Sequence, residues 1–200
     1  MKLIIYITIY LAGVIPVAAQ QSYIDSLKNE ISFSKNDTTD LILFGKTADI
    51  YSEINPDSAY YYAEKMLAIT RKLNLKLDET FALNQMGYAL LNKGNHPRSL
   101  QTILSSIAIS EDVAAEKNVL SQNYPPIDEF TDRALPPRLQ RLTKLSRTYQ
   151  YAGILYQNAE NYEKAINYYR LSLELAKQAN NFRLLSITYS TLGRTYLSLK

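Results

Sequence analysis

The chain has 200 residues, 46% of them aliphatic or aromatic, with 22 basic against 19 acidic side chains and a formal charge of +3. That near balance, spread along the chain, argues against nucleic acid as the main partner, because phosphate binding needs a concentrated basic face. The absence of cysteine excludes disulfides, thiolate metal sites and a lipid anchor on cysteine, so packing alone must supply stability.

The first nineteen residues differ in composition from the rest. Met1-Lys2 leads an apolar run from Leu3 to Val14, followed by Pro16 and the small-residue end Val17-Ala18-Ala19. One positive charge, a short apolar stretch, a helix breaker and a small–x–small end make a secretory signal over 1–19, cleaved after Ala19 to leave Gln20 first. The alternative is an uncleaved anchor, but from Leu3 to Ala19 the run is a little short of the ~20 residues a spanning helix needs. Export without disulfides suits a bacterial periplasm or cell surface. Membrane association is expected only through an uncleaved signal or a segment beyond Lys200.

Over 20–36, Tyr23, Ile24, Leu27 and Ile31 form one apolar stripe. The spacing predicts a short helix that covers the flank of the first repeat. A disordered tail is the alternative.

From residue 40 onward the chain repeats. Asn55, Asn95 and Asn161 each stand eight residues after a small residue and four before another, in the triplets Thr47…Asn55…Ala59, Gly87…Asn95…Ser99 and Gly153…Asn161…Ala165. Positions 47 and 87 are 40 apart, as are 153 and 193, where Gly193 starts a fourth triplet. A period in this range signals a helical repeat array. The expected units are 40–79, 80–113, 139–185 and an incomplete 186–200, each built from two antiparallel helices. In the third, Ser146 to Asn158 carries Tyr149, Ala152, Gly153 and Tyr156, and the second helix buries Ala165, Ile166, Tyr169, Ser172, Leu173 and Ala176. The asparagines suit helix N-caps, with Pro56 and Pro97 in the first turn. Asn74 and Asn180 suit left-handed helix ends.

Residues 114–138 break the period. They hold Tyr124-Pro125-Pro126, Leu135-Pro136-Pro137 and the acids Asp128, Glu129 and Asp132. Two Pro-Pro pairs forbid one continuous helix. Such an insertion maps to a loop on one face of an array, often the binding face, or is a tolerated surface excursion. Just after it, Arg138, Arg141, Lys144 and Arg147 recur every three residues. They are expected to pair with the acids of the insert or to be solvated.

No catalytic constellation is visible. The one histidine, His96, sits in a turn beside Asn95 and Pro97 without a second metal-ligating partner, and no glycine cluster forms a phosphate loop. Glu111-Asp112 and Asp128-Glu129 are sequence neighbours that point apart. No catalytic residue, metal site or cofactor is therefore expected. An enzyme acting on carbohydrate or the outer membrane would need an acidic pair in a cleft.

The repeat resembles the tetratricopeptide repeat (TPR), whose pattern is an aromatic, two residues, Leu-Gly, two residues, Tyr, then Ala, three residues, Phe. Tyr149-x2-Ala152-Gly153-x2-Tyr156 with Ala165-x3-Tyr169 is a close match. Tyr189-x2-Leu192-Gly193-x2-Tyr196 lacks its second helix, Leu83-x2-Met86-Gly87-x2-Leu90 with Ser99-x3-Ile103 is good, and Leu43-x2-Lys46-Thr47-x2-Ile50 with Ala59-x3-Ala63 is degenerate. The period exceeds the usual 34, and the closing proline is absent. Most of the seventeen tyrosines stand for the repeat's large packing residues; an aromatic recognition surface is the other reading.

The resemblance implies an all-α solenoid of antiparallel helix pairs with one inserted loop, whose first helices line a concave groove. The groove face is then Phe81, Asn84, Gln85, Tyr88 and Asn92 in the second repeat. In the third it is Arg147, Gln150, Tyr151, Ile154 and Asn158, and in the last Ile187, Ser190, Thr191, Arg194 and Ser198. This polar–aromatic trough suits a protein or peptide partner. The carboxylate clamp of chaperone-binding members is not matched, because Asn84, Tyr88, Gln150 and Ile154 occupy its places. Exported regions of this kind also resemble the N-terminal sensory portions of bacterial two-component histidine kinases and related regulators. That implies a signalling alternative, with the kinase beyond Lys200.

Overall fold

The structure, a computed structural model, describes residues 20–199. The signal expected over 1–19 lies outside the described residues. Helix α1 covers 20–33 and is followed by α2 (Asp37–Tyr51), α3 (Pro56–Lys72), α4 (Lys76–Asn92) and α5 (His96–Glu111). After a 3-10 helix (Val113–Lys117) come α6 (Pro137–Asn158), α7 (Tyr162–Gln178) and α8 (Phe182–Ser198). No strand occurs among the described residues. Helices pack chiefly on their sequence neighbours, the stacking of an α-solenoid.

One local device turns the chain between helices. A bond closes the turn from Leu75 N to Thr70 O (2.8 Å), and from Asn95 N to Leu90 O, Asn161 N to Tyr156 O and Asn181 N to Ala176 O (2.9 Å each). The residue before each donor is left-handed: Asn74 (φ 54°), Gly94 (74°), Glu160 (56°) and Asn180 (53°). This is the helix-ending motif that satisfies the last carbonyls. Asparagine side chains then start the next helices, Asn55 Oδ1 accepting from Ser58 N (3.0 Å) and Asn161 Oδ1 from Lys164 N (3.2 Å). Asn55, Asn161, Asn74 and Asn180 thus hold the roles that their sequence pattern assigns. Glu160 is an addition, since its side chain gives no such signal.

Small residues sit where the two helices of a pair cross. A Cβ on Gly87 would stand 2.6 Å from Ile103 Cδ1, and one on Gly153 2.4 Å from Tyr169 Cε1. Ser99 Oγ donates to Gly87 O across the first of these crossings (2.7 Å). Gly193 on α8 meets nothing within 4 Å. Helix α1 buries Ile24 and Leu27, and Ile24 shares a cluster with Tyr51 and Ala59 of the first pair.

Helix α6 starts at Pro137, so the basic series that follows the insert lies on it. Pro137 occupies the first turn, where its missing amide proton is not needed. The first turns of α6 aim Arg141 and Lys144 at the insert. Arg141 Nε donates to Glu116 Oε1 (2.7 Å), and Lys144 Nζ donates to Thr131 Oγ1 (2.6 Å).

Candidate functional site

The insert does not project into solvent. Residues 118–136 fold back across the first helices α2, α4, α6 and α8. Asn118 Nδ2 donates to Leu73 O (3.0 Å), and Ile127 lies over Gly45 of α2, where a Cβ would stand 2.5 Å from Ile127 Cγ2. Asp128 Oδ1 accepts from the amides of Phe130 (3.2 Å) and Thr131 (2.8 Å) and so fixes a tight turn. Phe130 drops onto Ala176 and Leu184, with the Arg147 guanidinium 4.0 Å from its ring centre. Arg133 reaches Asp78 on α4 (3.0 Å), both side chains buried. At the exposed rim Glu129 pairs with Arg183 of α8.

The groove expected from sequence is thereby split. Phe81, Asn84 and Gln85 lie buried, and with Arg147 and Tyr151 they line a seam against Asp128, Phe130 and Thr131 of the insert. Their expected availability to a partner is corrected by this roof. Asn92 donates to Ser52 O (3.3 Å), and Asn158 donates to Ile154 O of its own helix (2.9 Å). Neither lines the seam or the cavity at the groove's open end. The remaining end of the groove is an open cavity of about 470 Å³ that brings together Tyr88, Arg147, Gln150, Tyr151, Thr191 and Arg194. Of these, Gln150, Tyr151 and Thr191 present mostly buried side chains, whereas Arg194 is exposed.

Part of that cavity's wall is not assigned to the groove by the sequence: Asp49 of α2 with Glu53 just after it, and Glu129 with Phe130 from the insert. The degenerate first repeat hides the α2 wall. Ile127 and Phe130, three residues apart in a proline-rich loop, are a usable signal, because a solvated loop has no need of either.

Charge in the site is unevenly shared. Burial, together with the nearby Asp128 carboxylate, pushes the Asp49 carboxyl up to about 6, against the Arg147 charge and a bond from Gln85 Nε2 (2.6 Å). Burial also opposes ionisation of Asp128, but Lys144, the Thr131 hydrogen bond and Arg147 hold it below the usual carboxylate range. Burial pushes Tyr151 up, although Arg147 Nη2 lies 3.2 Å from its hydroxyl. Tyr88 and Tyr151 meet at 5.5 Å between ring centres. The cavity therefore presents acids on the α2 and insert side, arginines on α6 and α8, and two tilted rings on its floor.

The profile of one family, described as the SusR N-terminal TPR domain, matches residues 16–118, more than half of the chain. The chain belongs to this TPR family. The family match runs through α5 to the start of the insert. The fold of the chain is similar to the crystal structure of the apo form of RapI, with a TM-score of 0.60 and 17% identity. The likeness covers 91% of this chain and 45% of RapI, so the chain spans less than half of that protein. No curated protein matches. TPR domains are in general non-catalytic scaffolds that bind protein partners. Among the described residues no helix is long and apolar enough to cross a membrane.

Proposed function

We propose that the chain is an exported TPR scaffold that receives a protein or peptide partner at the open end of its concave groove. The observation that carries this is the cavity of about 470 Å³ walled by Tyr88, Arg147, Gln150, Thr191 and Arg194. It combines exposed charge of both signs with aromatic surface, the composition of polypeptide-binding sites. Export is supported by the composition of residues 1–19.

The test is selection from a displayed random-peptide library on purified protein and on a Tyr88→Ala/Arg194→Ala variant with unchanged helix content. Selected sequences that bind the variant at least tenfold more weakly support the open groove. Equal binding to both forms removes it.

A second reading has its own support. The matching family is described as an N-terminal domain, which favours the front of a longer regulator, whether a two-component histidine kinase or a related transcriptional regulator. On this reading the groove is the sensory surface. The coding sequence past Lys200 decides between the two: a downstream spanning segment and signalling domain support the second, and an immediate stop codon rejects it.

A further inference from the structure

The half of the groove closed by the insert is built like an occupied peptide site. The walls belong to helices, and the successive insert side chains from Ile127 to Phe130 each meet a partner on them. Ile127 lies over Gly45, Asp128 faces Lys144 and Arg147, Glu129 pairs with Arg183, and Phe130 is held between the Arg147 guanidinium and the floor of Ala176 and Leu184. The main chain is read too, since Asn181 Nδ2 donates to Phe130 O (3.2 Å). Successive side-chain pockets plus a side-chain amide on the backbone are how grooves hold extended peptides.

Ile127 and Phe130 join hydrophobic clusters of the helices, but the polar part of the seam differs from a folding core. Asn84 Oδ1, Gln85 Oε1 and Thr143 Oγ1 are buried there without a protein partner, around a void of about 10 Å³. Cores pair such atoms, whereas recognition surfaces stay polar and imperfectly matched. The segment is also approached through an exposed stretch, residues 121–126, and left through exposed Pro136 and Pro137. Few contacts tie those stretches down, which favours local opening.

We infer that residues 127–133 are an internal stand-in for a ligand of this half-groove, and that its partner is an extended peptide of the pattern apolar–acidic–acidic–aromatic, which displaces the insert. This rests on the reading of the groove as a polypeptide-binding surface. The tethered insert competes at an effective concentration on the order of millimolar, so a partner binds intact protein only by outdoing it.

The probe is a fluorescein-labelled peptide of residues 124–135, followed by anisotropy against intact protein and against Phe130→Ala, with a scrambled peptide as control. Phe130→Ala loosens the tethered copy, and the peptide supplies the missing ring. Binding at least tenfold tighter to Phe130→Ala than to intact protein, and absent for the scrambled peptide, is expected. No gain, or equal binding of the scrambled peptide, overturns the inference. Should Phe130→Ala fail to fold, hydrogen exchange on intact protein decides. Amides of 127–133 must exchange by local opening, faster than those of α4 and α6, and equal protection overturns the inference. Library-selected peptides that bind intact and Phe130→Ala protein alike, with no binding of the insert peptide, leave the open-groove reading in place and remove this one.

Discussion

Arg133 Nη2 lies 3.0 Å from Asp78 Oδ1 with both side chains 3% exposed, so an ion pair shut away from water ties the insert to the first turn of α4. Removing one partner of such a pair leaves a buried charge uncompensated, which costs about 3–5 kcal/mol. Arg133→Ala and Asp78→Ala should each lower the unfolding free energy by that order, read in urea melts as a lower midpoint. An Arg133→Met/Asp78→Leu double substitution should recover most of the loss, because the pair and a matched apolar filling are close in stability. A double variant as unstable as the sum of the singles would contradict the pairing.

Three glycines at equivalent repeat positions should respond differently to alanine. At Gly153 the new Cβ meets the edge of the buried Tyr169 ring at 2.4 Å, and at Gly87 the flexible end of Ile103 at 2.6 Å. At Gly193 it meets nothing. Overpacking costs about 1–3 kcal/mol, against a gain of roughly 0.5–1 kcal/mol from helix propensity. Gly153→Ala should therefore destabilise most and Gly87→Ala less, while Gly193→Ala should be neutral or slightly stabilising. Thermal melts of the three variants check the order.

Asp49 gives a dependence on pH. Its folded-state value of about 6 lies above its ordinary 3.8, so the native state binds the proton more tightly between those values. Stability from this group is present below about pH 4 and is lost as pH rises through about 6. The facing charges are Asp128 and Glu129 of the insert and Arg147 of α6. Asp49→Asn keeps an acceptor for Gln85 and removes the charge. It should be more stable than the parent protein at pH 8 by up to about 3 kcal/mol and should converge with it near pH 4. The contribution of Glu79, held low and not among the charges facing Asp49, runs the opposite way but cancels in this difference. Denaturant melts at the two pH values provide the check.

What could be read from sequence was local. Asn55 and Asn161 bond amides three residues on, and Gly87 and Gly153 face partners sixteen residues away, Ile103 and Tyr169, so a repeating pattern records them. The site depends on longer reach. Arg133 and Asp78 are 55 residues apart, Arg183 and Glu129 54, and nothing periodic links them. Helical spacing gave the direction of Phe81, Asn84 and Gln85 toward the groove but could not show that Ile127 to Arg133 would cover them. The basic series after the insert was legible as a partner for that segment only in outline. Arg141 and Lys144 do turn to it, yet Lys144 meets the Thr131 hydroxyl rather than an acid directly.

The seating of the insert in the groove is tested most directly by a disulfide. A Cβ on Gly45 would lie 3.6 Å from Ile127 Cβ, within the 3.5–4.5 Å range typical of disulfide Cβ pairs, and the chain has no other cysteine to compete. Gly45→Cys/Ile127→Cys protein under mild oxidation should form one intramolecular bond in nearly every molecule, found as a single cross-linked peptide by mass spectrometry. Free thiols at both positions after oxidation, or only cross-links between molecules, would show that the insert lies elsewhere.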